Sequence, residues 1–169
     1  MSESQKSNGD AGPLVPFTEI RRRGETLLEG AREFNGSLCY DEASVKWLDG
    51  FIARNLRNFS DADNRYGAAM AFGYALGEAM IRAFGGTWEY VNDQGWGVRI
   101  ESLEGIVFPI GMAHKHLLGE LESMSSKFQW TRKLIAQGGL NSFVNRAEVG
   151  PSGFFEIRLP KDEAGNGAE

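Results

Sequence analysis

From Phe17 the apolar positions Phe17, Ile20, Leu27, Leu28, Ala31 and Phe34 recur at steps compatible with one helix face, and Gly36 follows as a stop. This predicts a first helix, with Gly24 as a soft spot. A second is predicted after Asp41, which can cap, with Val45, Leu48, Ile52, Leu56 and Phe59 stepping by three and four. Trp47 and Phe51 widen its apolar arc, so more than one neighbour is expected to cover it. The third helix is expected to open at Ser60-Asp61-Ala62-Asp63, with the Ser60 hydroxyl as cap and Asp63 answering it. It runs to Phe84, where Gly85-Gly86 offers the left-handed conformation a helix end uses.

Within the third helix, Ala69, Gly73 and Gly77 recur every four residues and form a groove of small side chains. A glycine inside a helix costs about 1 kcal/mol relative to alanine, so close intramolecular packing along the groove is expected to offset it.

After Gly86 the period changes to alternation. A loop of Asp93-Gln94-Gly95, with Gly95 in the left-handed bulge position, sets Tyr90 opposite Val98 and Trp88 opposite Ile100. The same register puts Glu89 opposite Arg99 and Thr87 opposite Glu101, so apolar meets apolar and acid meets base. Each aromatic on the inner side is worth on the order of 2 kcal/mol of burial. Gly105 to Ile110 is predicted as a third strand of an antiparallel meander, on an edge or ending at Pro109. Helices over Ala113 to Leu121 and Ser126 to Gln137 follow, the latter stopped by Gly138-Gly139, and GFFEIRLP alternates as a late strand.

The predicted class is therefore α+β: three N-terminal helices packed on one face of an antiparallel meander, then two helices and a late strand. The ends, 1–14 and 161–169, are polar and punctuated by Gly and Pro, and are expected to lack fixed structure, leaving a single domain over 15–160.

With 169 residues, 18 Lys plus Arg against 23 Asp plus Glu, and a net charge of −5, one acidic domain is expected and a general attraction to nucleic acid is not. Arg21-Arg22-Arg23 fans around its helix as a solvated face. MSESQKSNGD has no apolar core of a secretory signal, and GAAMAFGYAL is well short of the ~20 residues that span a bilayer. Cytosolic residence without membrane contact is the expectation.

Candidate chemistry is sparse. Cys39 is the one cysteine, which rules out an internal disulfide or a thiolate zinc cage. His114 and His116, two apart, fall on opposed faces of a helix, so no shared metal is expected, and no motif implies a cofactor. Glu78 is the only acid between Asp63 and Glu89 and lies one step from the glycine groove. It is either a buried acid or half of an exposed Glu78–Arg82 pair. Lys115 is either a buried base or anion anchor, or a solvated lysine. Glu78, Trp88, Trp96 and Lys115 are the candidate binding residues.

The segments LGEAMIRAFGGTWEYVNDQGWGVRI and VFPIGMAHKHLLGELES resemble a group of small bacterial proteins of unknown function. The shared features are a Leu-Gly-Glu helix (Leu76-Gly77-Glu78), a Gly-Gly-x-Trp lead into a meander (Gly85 to Trp88) and a Phe-Pro strand end (Phe108-Pro109). Lys115, Gly119 and Glu122-Ser123 follow, with Glu122 where the group has aspartate and His114 and His116 where it has aromatic and basic residues. The resemblance spans roughly residues 64 to 128 and implies a bacterial cytosolic protein with helices, a meander and a helix; it implies no activity.

The leading functional expectation is a non-enzymatic domain that binds another protein, of the immunity, adaptor or chaperone kind. A small-molecule-binding or hydrolytic domain, with Glu78 and Lys115 meeting between the third helix and the sheet, is the alternative. A homodimer through the aromatic side of the sheet is a third possibility.

Overall fold

Three of the helices begin where a side chain takes up their first free N–H groups. In the computed structural model, which describes residues 14–34, 38–121 and 123–140, α1 spans Phe17–Phe34 and α2 spans Glu42–Asn55. Asp41 caps α2 as expected: its backbone is extended (φ −144°, ψ 176°) and its carboxylate accepts from the Ser44 N–H at 2.8 Å. Ser44 answers, its hydroxyl accepting from the Cys39 N–H at 3.0 Å. Helix α3 spans Ala62–Phe84, and its cap is Asp61, which accepts from the N–H groups of Asp63 and Asn64, both at 3.0 Å. Ser60, the expected cap, cannot serve. It follows a 3-10 turn, Leu56–Phe59, and has helical dihedrals (φ −69°, ψ −34°), whereas a cap needs the extended backbone found at Asp61. The other end of α3 is as expected: Gly85 takes φ 75° and donates its N–H to the Ile81 carbonyl at 2.8 Å.

Helix α3 is buried on all sides from Ala69 to Gly77, which explains its long apolar run. Such a helix needs cover all round. Its Phe72, Leu76 and Met80 meet Val45, Leu48 and Ile52 of α2 in one core, with Val98 and Ile100 from the sheet and Met124 and Phe128 from the last helix. The small-residue groove is filled from within. A Cβ on Gly73 would lie 2.4 Å from the Ile110 Cα, and one on Gly77 would lie 2.1 Å from Cζ2 of Trp88. Gly24 is likewise a contact, since the Tyr74 ring presses where its side chain would be.

The strands β1 (Thr87–Val91), β2 (Gly95–Ile100) and β3 (Gly105–Val107) form an antiparallel meander in the order β1-β2-β3. The α+β class, with N-terminal helices packed on an antiparallel meander, is as expected; α3 and α4 (Pro109–Leu117) make the main helix contacts to the sheet, and α1 and α2 pack on α3.

The hairpin register also differs. Val91 pairs with Gly95, Tyr90 with Trp96, Trp88 with Val98 and Thr87 with Arg99, so the loop is Asn92 to Gln94 and not Asp93 to Gly95. Asp93 adopts the left-handed φ of 65° that aspartate tolerates, and the turn closes early, with Gln94 N–H donating to the Val91 carbonyl at 3.1 Å. Two residues of slip keep the parity, so Trp88, Tyr90, Trp96, Val98 and Ile100 still share a face. Glu89 stands opposite Gly97, yet Arg99 reaches it diagonally with two hydrogen bonds of 2.6 and 2.7 Å.

Strand β3 stops at Val107, and Pro109 occupies the first turn of α4, where its missing N–H is harmless and its fixed φ is already helical. Ile110 is therefore helical and not a strand residue, and α4 begins and ends four residues before the expected Ala113 to Leu121. Helix α5, Met124–Ala136, starts at a Ser123 cap that accepts from the Ser126 N–H at 2.9 Å, and the chain turns after it at Gly138 and Gly139, with φ of 93° and 78°. The predicted late strand, Phe154 to Leu159, and both predicted tails apart from Leu14 lie outside the described residues. Among the described residues no helix is long and apolar enough to cross a membrane.

Candidate binding groove

The hairpin face divides into a core half and an open half. Val98 and Ile100 are fully buried, whereas Trp88, Tyr90 and Trp96 are half-buried. Trp88 stacks on Tyr74, with centroids 6.0 Å apart and planes 7° from parallel, over the gap left by Gly77. Its indole N–H donates to Oε1 of Glu78 at 2.8 Å. Glu78 thus holds the hairpin to α3, and no Glu78–Arg82 ion pair forms among the described residues.

The Glu78 carboxylate also sets the field around two phenols. Burial, and then the negative charges of Glu25 and Glu78, push the Tyr40 hydroxyl up to about 12. Tyr74 moves the same way, with burial again the first cause and Glu78 the second. Both tyrosines are held neutral, as aromatic packing surfaces.

Phe17, the first residue of α1, bridges the two hairpin indoles, 5.3 Å from Trp88 and 5.0 Å from Trp96. The Trp96 N–H donates to the Val15 carbonyl at 2.9 Å and anchors the lead into α1 on the hairpin. Three of the four candidate residues, Glu78, Trp88 and Trp96, are therefore joined through one aromatic cluster. Lys115 is not among them. It is exposed on α4 and forms no ion pair with Glu78 among the described residues.

Beyond Trp96 the surface opens into a groove of about 820 Å³ between the start of α1, the first turns of α3, the hairpin tip and α4. Its floor is apolar, with Ile20, Met70, Phe108 and Ile110; Tyr66, Tyr90 and Trp96 supply aromatic walls, and the tip residues Asn92 to Gln94 form a polar edge. Tyr90 and Trp96 meet edge to face at 5.5 Å. A concave site of this size, mostly apolar with a few polar groups at its margin, suits ligand recognition. Glu78, Trp88 and Lys115 do not line it; of the candidate residues only Trp96 does.

The imidazoles separate as a helix requires. His114 lines the groove, while His116 turns toward α2 and α5, its Nδ1 3.0 Å from the Leu121 carbonyl. Among the described residues no cluster of three His, Cys, Asp or Glu could hold a metal ion. The Cys39 thiol donates to Oδ2 of Asp41 at 2.9 Å, and that hydrogen bond, followed by burial, pushes its pKa up, away from the thiolate.

Sequence reasoning passed over Tyr66, Met70 and Gly111 as groove residues. An exposed tyrosine one turn into a helix and a glycine two residues past Pro109 are the traces they leave in the sequence. Comparison with protein-family models, with curated proteins and with solved structures finds no match for this chain.

Proposed function

We propose that this protein is a non-enzymatic, protein-binding domain of the cytosol, of the adaptor, immunity or chaperone kind, and that the groove beside Trp96 is its recognition surface. The observation that carries this reading is where exposed apolar side chains lie. Of the four large apolar side chains exposed among the described residues, the two most exposed, Leu14 at 99% and Tyr66 at 50%, border the groove, while Leu56 and Leu118 lie outside it. Exposed apolar groups gathered around a concave apolar floor favour a partner that removes them from water. The resemblance to small bacterial proteins supports a bacterial setting and adds no activity.

Glu78 and Lys115, the pair on which a hydrolytic or small-molecule pocket would depend, form no ion pair among the described residues: Glu78 bonds Trp88 and Lys115 faces solvent. The acidic balance, −5, argues against nucleic acid as partner.

Native mass spectrometry of the tagged protein drawn from its own host tests the proposal. A stoichiometric partner is expected that is lost in Tyr66→Ser and kept in Leu56→Ser, an exposed leucine outside the groove. A partner retained equally by both variants, or a mass accounted for by two copies of the chain alone, would overturn the reading.

A further inference from the structure

Gly111 leaves the α4 side of the groove open. It lies in the first turn of α4 without a positive φ, and among the described residues a Cβ there would meet only the Phe108 Cβ, at 3.9 Å, an ordinary contact. Gly73, by contrast, is required by the Ile110 backbone pressed against it. A helical glycine is less favourable than alanine, and at Gly111, as at Gly30 of α1, no contact among the described residues offsets that loss. What the missing side chain leaves is open floor between Phe108 and His114.

The edge of the groove has one sign of charge. Among the described lining residues Asp93 is the single carboxylate and no lysine or arginine joins it; it stands exposed at the tip of the hairpin that carries Tyr90 and Trp96. Ring faces carry partial negative charge, so a cation beside the carboxylate is attracted by both. The net charge of −5 steers a basic partner toward the molecule from a distance.

We infer that the groove takes a segment of a partner protein that lays aliphatic side chains on the Met70 and Ile110 floor across Gly111 and brings one arginine or lysine to Asp93 beside Tyr90 and Trp96. This rests on the protein-binding reading and names the chemistry of its partner. The aliphatic groups supply the burial, and the basic group sets the orientation.

Two synthetic peptides test it on the full chain, acetyl-Leu-Leu-Arg-Leu-amide and its counterpart with glutamate in place of arginine, followed by amide NMR shifts and tryptophan fluorescence. Saturable shifts at Asp93, Gly95 and Gly111 are expected, with the arginine peptide tighter by on the order of fivefold, the weight of one exposed cation–π and ionic contact. Asp93→Asn is expected to bring the two peptides within about twofold of each other, the carboxylate being the discriminating group. Gly111→Leu is expected to abolish binding of both while the thermal unfolding midpoint is kept. Equal binding of the two peptides, both lost in Gly111→Leu, would overturn the charge assignment and leave the protein-binding reading standing. Arginine-peptide binding that survives Gly111→Leu would overturn the inference outright. So would the absence of binding by either peptide, and the partner complex with Tyr66→Ser then decides the protein-binding reading separately.

Discussion

His116 and Asp49 face each other where three helices meet, Nε2 of the one 3.4 Å from Oδ1 of the other. The Leu121 carbonyl beside Nδ1 can only accept, so Nδ1 carries hydrogen, and Nε2, buried without a hydrogen bond among the described residues, points at the carboxylate. The two Asp49 oxygens also accept from the N–H groups of Met124 and Ser125, at 2.8 and 2.9 Å, at the positive end of α5. One side chain of α2 thereby holds the start of α5 in place, with His116 of α4 beside it. Asp49→Asn keeps an acceptor but turns an amide donor toward N–H groups, and is expected to cost about 2 kcal/mol, read by urea unfolding. His116→Gln, which leaves those helix contacts intact, is expected to cost less than half as much.

Glu78→Gln separates a bond from a charge. The glutamine carbonyl can still accept from the Trp88 N–H, so stability is expected to change by less than about 1 kcal/mol, whereas Glu78→Ala removes the acceptor and costs about 1–2 kcal/mol.

The same substitution removes one of the charges beside Tyr40, whose hydroxyl burial and then Glu25 and Glu78 push up to about 12. Tyr40 in Glu78→Gln is expected to titrate lower than in the parent by ultraviolet difference spectroscopy. The sign for stability follows: a phenol raised on folding contributes in full below its unfolded value of about 10 and loses that contribution as pH rises toward 12. The parent is expected to weaken over that alkaline window.

Asp41 works in the opposite direction. The Cys39 thiol, and then the Ser44 N–H, hydrogen-bond its carboxylate and hold it below the usual range. Its contribution is therefore present above the unfolded value of about 3.9 and is lost as pH falls through the lower folded value. Asp41→Ala is expected to cost about 1 kcal/mol at neutral pH, as a helix cap does, and to flatten the acid limb of a stability–pH profile.

Local signals carried the fold as far as they reached. The steps of three and four placed α1, α2 and α3, and Gly85 marked a true stop, because these depend on neighbours within a turn or two. Ser60 and Asp61 could not be told apart as caps, since the choice depends on the 3-10 turn before them. Pro109 read as a strand end when it was a helix start, because both uses exploit the same missing N–H. Parity along the hairpin survived, while its register turned on Asp93 accepting a left-handed backbone in place of Gly95 alone. The groove left the least trace. Tyr66, Trp96 and Gly111 come from three elements that packing alone assembles, and no spacing along the chain records that they meet.

Two glycines on facing helices are expected to respond with opposite sign. Gly73 in α3 holds the α4 backbone at a distance that leaves no room for a methyl group: its Cβ would stand 2.4 Å from the Ile110 Cα and 2.7 Å from the Ile110 nitrogen. Backbone cannot rotate aside as a flexible side chain can, so Gly73→Ala must push the helices apart and is expected to cost about 1–3 kcal/mol, the range of overpacked cores. Gly111→Ala adds a methyl group into open space at ordinary contact distance from Phe108 and restricts the unfolded chain, so it is expected to leave stability unchanged or raise it by up to about 1 kcal/mol. Thermal unfolding of both variants decides the matter. A loss at Gly111 comparable to that at Gly73 would mean that α4 packs more tightly there than the groove allows, and the open floor argued for above would not exist.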